Sequence, residues 1–155
     1  MPPQFLFSLD KLDLNTPIFG LKDIEDTNPQ RGHMKHLDAV VLLEPDGIIG
    51  YKDVRADEFW VPGHIPGRPL LPGVIMIEAA AQAASFYTRR ALGWQGFIGF
   101  GAVDAVKFRA PVPPGVRLHL MLKKIWDRHK RVCCNAQGVV AGNLVFEGQI
   151  TGAVV

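Results

Sequence analysis

The sequence predicts an α+β domain in which an antiparallel sheet wraps around one long central helix. Three observations lead there. Between Gly73 and Phe86 the chain is apolar at every position except Glu78, Gln82 and Ser85, which recur at i, i+4 and i+7 on one helical face. A helix apolar nearly all round is buried in a core. Before it, two β-rich segments flank Glu44-Pro45-Asp46-Gly47, a hairpin signal. After it, four more follow in succession, separated by proline, glycine and charged turns. One long helix among consecutive strands implies a sheet closed over that helix.

Taken in order, residues 1–30 are weakly patterned, with a possible short helix near Leu21–Asp26. Strands are predicted over His36–Leu43 and Ile48–Val54. The helix begins near Gly73, and Gly93 suits a position just past its C-terminus. Further strands are predicted over Phe97–Arg109, Val116–Trp126, Arg131–Val140 and Asn143–Thr151. The 155 residues fit a single domain, 1–155, with a sizeable core.

Composition narrows the function classes. With 48% hydrophobic and 21% charged residues, the chain has ordinary soluble globular composition. A net charge of +2 is too small to imply nucleic-acid binding. The stretch MPPQFLFSLDKLDL lacks a basic n-region, so no signal peptide is expected, and the Glu78 and Gln82 interruptions argue against a membrane span. The two cysteines are adjacent, Cys133 and Cys134, and on a strand they point to opposite faces. Neither a disulfide framework nor a metal site follows, and a reducing cytoplasm fits. His33 and His36 lie near Asp38, but no third ligand has metal spacing, so a surface role is expected for both and no metal or cofactor is called for. The basic residues Lys123, Lys124, Arg128, His129, Lys130 and Arg131 read as a solvated hairpin tip.

The chemistry-bearing run is GHIPGRPLLPGVIMIEAAAQ, from Gly63 to Gln82. Pro62, Pro66, Pro69 and Pro72 stiffen the loop around His64, and Pro72 suits a helix start. Histidine and a carboxylate are the side chains most used for proton transfer near neutral pH. On the residues alone, His64 is either a structural loop histidine or a base. Glu78 is either a neighbour-satisfied structural carboxylate or a cavity-facing acid with a raised pKa. The helix N-terminus at Gly73 exposes N–H groups suited to an oxygen that gains negative charge.

This run resembles the active-site motif of bacterial β-hydroxyacyl-[acyl carrier protein] dehydratases, G-H-F-P-G-x-P-x-x-P-G-V-x-x-x-E-x-x-A-Q. His64, Pro66, Gly67, Pro69, Pro72, Gly73, Val74, Glu78, Ala81 and Gln82 are in register, and Ile65 replaces phenylalanine. Phe100 to Arg109, FGAVDAVKFR, with Pro111 and Pro114-Gly115, is similar to the family's F-x-G-I-D-x-x-x-F-x-x-P-V-x-P-G strand. The resemblance runs from about Pro29 to the C-terminus. It departs between Pro29 and Asp38, where the family's P-H-R-x-P-F-L-x-x-D becomes PQRGHMKHLD.

The resemblance implies a hot-dog fold whose protomers pair edge to edge, as a homodimer or a trimer of dimers. Its implied reaction dehydrates a 3-hydroxyacyl thioester of acyl carrier protein or coenzyme A to the trans-2-enoyl thioester in fatty-acid synthesis. That reaction needs a base, an acid and an oxyanion stabiliser, and His64, Glu78 and the Gly73 N–H supply one of each. His64 of one protomer would face Glu78 of the other across the dimer. An acyl tunnel is expected along Val74, Ile77 and Phe100, with Gln82 and Arg109 also on the substrate. Arg68, Lys107 and Arg109 suit an acidic carrier or its phosphate. A cis peptide is expected at His64–Ile65. The alternatives are a non-catalytic acyl-thioester binder, alone or in a heteromeric complex, and a thioesterase.

Overall fold

The computed structural model describes residues 4–155. The first three residues of the weakly patterned N-terminal segment lie outside the described residues. Two helices, α1 (Leu21–Thr27) and α2 (Gly73–Arg90), accompany six strands: β1 (Ala39–Glu44), β2 (Gly47–Asp53), β3 (Ile98–Phe108), β4 (Arg117–Arg128), β5 (Arg131–Val140) and β6 (Asn143–Val154). The strands form one sheet in the order β1-β2-β4-β5-β6-β3, every pairing antiparallel. The sheet curls over α2 in the hot-dog arrangement.

Alternation along each strand explains why the sheet is buried on both sides. Ile48, Leu120 and Leu122 face α2, while their neighbours Ile49 and Met121 face the other way into a second apolar cluster. On the helix side, Ala79, Ala80 and Ala83 are fully buried, and their small side chains let α2 lie close to the strands. The outer cluster is covered by the N-terminal segment. Phe7 is buried there with Leu9, Leu12 and Leu14 against Ile49, Tyr51 and Val139. Gln137 fastens the segment by accepting from the Leu6 N–H at 2.9 Å and donating to the Gln4 carbonyl at 2.9 Å. That segment has no regular period, so the sequence pattern did not announce its role.

Strand limits differ most from the predicted ones at the start of β1, Ala39 rather than His36, and at the end of β6, Val154 rather than Thr151. The His36 N–H is taken by the Gln82 side chain at 2.8 Å, so it does not enter a ladder. The helix stops at Arg90, where the Ala91 and Leu92 N–H groups both turn to the Tyr87 carbonyl and Gly93 follows at φ 73°. The basic tip between β4 and β5 is a tight turn at His129-Lys130 with φ of 50° and 62°.

Cys133 and Cys134 are both buried free thiols, and burial pushes the Cys134 thiol up to about 12. Among the described residues no helix is long and apolar enough to cross a membrane.

Two features position the site. The loop from Val54 to Pro72 is anchored by a buried pair, Lys52 Nζ to Glu58 Oε1 at 2.6 Å. The Arg55 N–H donates to the other Glu58 oxygen at 2.8 Å, and Trp60 Nε1 donates to the first at 3.2 Å. With every carboxylate oxygen bonded, the pair holds the loop to β2 without an orphaned charge. The second feature is β3. It is the edge of the sheet, paired on one side only, and Phe100, Val103 and Phe108 stand about half exposed on it. An apolar open edge of this kind is a template for pairing with another chain.

Candidate active site

His64 is held by its own loop. Its N–H donates to the Trp60 carbonyl at 2.8 Å, and its ring Nδ1 lies 2.8 Å from the Leu70 carbonyl. A carbonyl only accepts, so Nδ1 carries the proton, and Nε2 of the neutral ring is left with a free lone pair. The loop then reverses. The structure corrects the expected cis peptide: the His64–Ile65 bond is trans, and no described residue has a cis bond. The reversal comes instead from positive φ, 57° at Ile65 and 83° at Gly67, closed by a 2.9 Å bond from the Arg68 N–H to the Ile65 carbonyl. A β-branched residue rarely adopts such a φ, so the strain expected beside His64 is present in another form.

Gly73 opens α2. Pro72 is the residue before the helix, and its carbonyl receives the first bonds, from Ile75 at 2.9 Å and Met76 at 3.3 Å. The N–H groups of Gly73 and Val74 therefore have no acceptor within the helix. A Cβ on Gly73 would lie 2.8 Å from the Phe108 ring, which packs directly on the helix start. Glycine is required here by that contact.

His64 and Gly73 share an open groove of about 560 Å³ with Val74, Phe108 and Arg109. Arg109 also forms an ion pair with Glu147 on β6. Arg68 and Lys107 are exposed.

Glu78 sits one turn further on. It lines a second groove, about 430 Å³, with Val74, Ile77, Phe100, Val103, Phe59 and His36. Val74, Ile77 and Phe100, the residues expected along an acyl path, all line this open groove. Burial pushes the Glu78 carboxyl above its ordinary value, against a smaller downward pull from the Gln82 amide. Beyond Glu78 a cavity of about 110 Å³ continues past Ala81, Ser85, Gln30 and Thr151. Val74 borders both grooves, and neither of the two is lined by His64 and Glu78 together. One chain brings His64 to Gly73, and Glu78 to the apolar groove, without joining the two halves.

Gln82 has a different place from the one expected. Its Oε1 accepts from the His36 N–H and its Nε2 donates to the Met34 carbonyl at 2.6 Å, so both amide atoms pin the 34–36 segment to α2. The sequence reading missed that segment. His33 is exposed as expected, but His36 is 1% exposed and lines the Glu78 groove. The departures from the family pattern beside it, at Gln30, His33, Met34 and Lys35, were the available signal. Among the described residues no cluster of three metal-ligating side chains exists.

A model of the FabA-like domain family matches residues 28–149. A curated 3-hydroxyacyl-[acyl-carrier-protein] dehydratase FabZ of Lactobacillus helveticus is 38% identical over 119 residues, covering 74% of this chain and 80% of the relative. The FabZ of Zymomonas mobilis is 34% identical, covering 81% of this chain and 82% of the relative. Among solved structures, the dehydratase heterocomplex ApeI:P of Xenorhabdus doucetiae superposes with a TM-score of 0.74 over 85% of this chain and 90% of that one, at 17% identity. The TT0310 protein of Thermus thermophilus superposes at 0.60 over 77% and 92%, at 18% identity. At such identities the structural likeness speaks for the fold.

Proposed function

Since the chain belongs to the FabA-like family, we propose that it dehydrates 3-hydroxyacyl-[acyl carrier protein] thioesters to trans-2-enoyl thioesters in fatty-acid synthesis. The observation that carries this reading is the pairing of two proton-transfer groups in unlike settings. An imidazole with a free Nε2 stands beside helix N–H groups, and a carboxyl with a raised pKa stands beside an apolar groove.

His64 Nε2 takes the α-proton, and the electron pair moves into the thioester carbonyl. The resulting enolate oxygen sits against the Gly73 and Val74 N–H groups, where helix-end charge favours it. The enolate re-forms its carbonyl and expels the β-hydroxyl. Glu78 supplies the proton that lets this group leave as water. The imidazolium and the carboxylate then return to their starting forms by proton exchange with solvent.

In this reading the active unit is a homodimer or larger, with His64 of one protomer completing the Glu78 groove of the other. The separate grooves and the apolar β3 edge support it. Val74, Ile77 and Phe100 line the acyl path, while Gln82 shapes it by holding the 34–36 segment. Arg109 at the mouth of the His64 groove suits the carrier or its phosphate. A cytoplasmic location fits the two buried free thiols.

The test is turnover of 3-hydroxyacyl thioesters of several chain lengths, on acyl carrier protein and on coenzyme A, followed by enoyl absorbance. Conversion on the carrier protein supports the proposal. Acyl-thioester binding without conversion on either carrier would replace it with the non-catalytic reading, and release of free thiol would replace it with a thioesterase.

A further inference from the structure

Apart from Glu78, the groove has one polar side chain in its lining, His36. His36 is 1% exposed, lines that groove, and has no hydrogen-bond partner for either ring nitrogen among the described residues. Its backbone N–H is bonded to Gln82, so the backbone that carries the ring is fixed relative to α2. Phe59 stands beside it with ring centroids 6.3 Å apart, offering an apolar wall and no hydrogen bond. Burial, with the nearby Lys52 charge, pushes the imidazole down to about 4, so the ring is neutral at physiological pH. A neutral imidazole carries one donor and one acceptor, and leaving both buried without partners is costly.

The adjoining cavity repeats the pattern. It shares Glu78 and Phe100 with the groove, and in it the buried Gln30 Oε1 also lacks a partner among the described residues. A plain alkyl chain lying along this path would cover these polar atoms without satisfying them. A hydroxyl can both accept from and donate to an imidazole, and can donate to an amide oxygen.

We propose that the groove takes an acyl chain bearing a hydroxyl of its own, beyond the one eliminated, and that His36 recognises it. This rests on the dehydratase reading of the same site.

The test uses the full-length protein and two sets of ligands of one chain length. The first set is 3-hydroxyacyl N-acetylcysteamine thioesters, unsubstituted or with a second hydroxyl at successive carbons. The second set is the matching non-reactive thioethers without the 3-hydroxyl, titrated by calorimetry. One hydroxylated thioether should bind about two- to tenfold tighter than the plain chain, the range of one added hydrogen bond. His36→Leu should lose that preference, while His36→Asn keeps part of it. Without ligand, His36→Leu should melt higher than wild type, because it removes two orphaned polar atoms. The proposal falls if wild type favours no hydroxylated chain, if His36→Leu keeps the preference, or if His36→Leu melts lower. Equal loss of kcat on both thioester types would place His36 in the reaction itself and overturn it too. Absent turnover with the binding preference intact would instead remove the dehydratase reading and leave hydroxyl recognition standing.

Discussion

His64 stands on a loop that is largely exposed, whereas Glu78 stands on a helix packed into the core. The loop holds the His64 backbone by the Trp60 carbonyl and the reversal at Ile65, and the ring by the Leu70 carbonyl. The helix holds its carboxyl by surroundings, since burial is the main cause of its raised pKa. The contrast follows from what each group must do. A base at neutral pH needs an unprotonated nitrogen in a fixed direction, and solvent does not spoil that. An acid at neutral pH needs a proton that water would remove, so it has to be sheltered. Solvent contact and shelter are hard to provide in one pocket of a small domain, and the chain keeps them in two grooves that meet only at Val74.

The largest effect should come from removing either group. His64→Ala and Glu78→Gln should each lower kcat by about a hundredfold or more, the lower end for general acid–base catalysis, with KM changing far less. Circular dichroism should show an unchanged fold. Wild-type rates in both variants would make the two residues structural and dissolve the contrast.

A sharper test asks whether the halves belong to different protomers. When the two variants are co-expressed and allowed to associate at random, half of the dimers are mixed. If the site is shared, each mixed dimer has one intact site of two, and activity should return to roughly a quarter of wild type. If both groups of a site come from one chain, no mixed dimer has an intact site, and activity stays at the level of the single variants.

The junction between loop and helix is Gly73. A Cβ there would meet the Phe108 ring at 2.8 Å, so Gly73→Ala should destabilise by about 1–3 kcal/mol, the usual cost of overpacking. It should also lower kcat by shifting the helix-end N–H groups. Pairing it with Phe108→Leu should recover most of the stability, because the obstructing ring edge is gone. If Gly73→Ala is harmless alone, the close contact is not what requires glycine.

These residues also show what a sequence can display. The His64-to-Gln82 motif was legible because local rules govern it: prolines stiffen a loop, and a helix repeats every three to four residues. All six strands were legible within a few residues for the same reason. The outer-face role of Phe7, Leu9 and Leu12 was not, since it depends on an irregular segment meeting a distant sheet face. His36 was misplaced on the surface because its burial comes from Gln82, 46 residues away. The His64–Ile65 geometry was misjudged because a resemblance carried over a bond geometry, while Ile65 and Gly67 turn the chain by positive φ. Gln82 was matched correctly as a motif residue, yet its partners lie in the stretch where this chain departs from the family.

The smallest effect concerns pH, and it tests the sheltered half alone. Glu78 has a folded pKa above its ordinary 4.5, mainly through burial. In the window between those two values the folded state holds a proton that the unfolded state has released. Stability from this group is therefore complete below about 4.5 and is lost as pH rises through the raised folded value. Glu78→Gln cannot titrate and lacks this slope. The melting temperature of Glu78→Gln relative to wild type should then climb as pH rises above 4.5, and level off once Glu78 is ionised in both states. The same ionisation should set the alkaline limb of kcat in wild type, because the departing hydroxyl loses its proton donor. Thermal scans from pH 4 upward, run beside a pH–rate profile, measure both. If the gap between variant and wild type shrinks with rising pH, the carboxyl is held in its charged form. Glu78 could then not be the acid, and the contrast between the two groups would be lost.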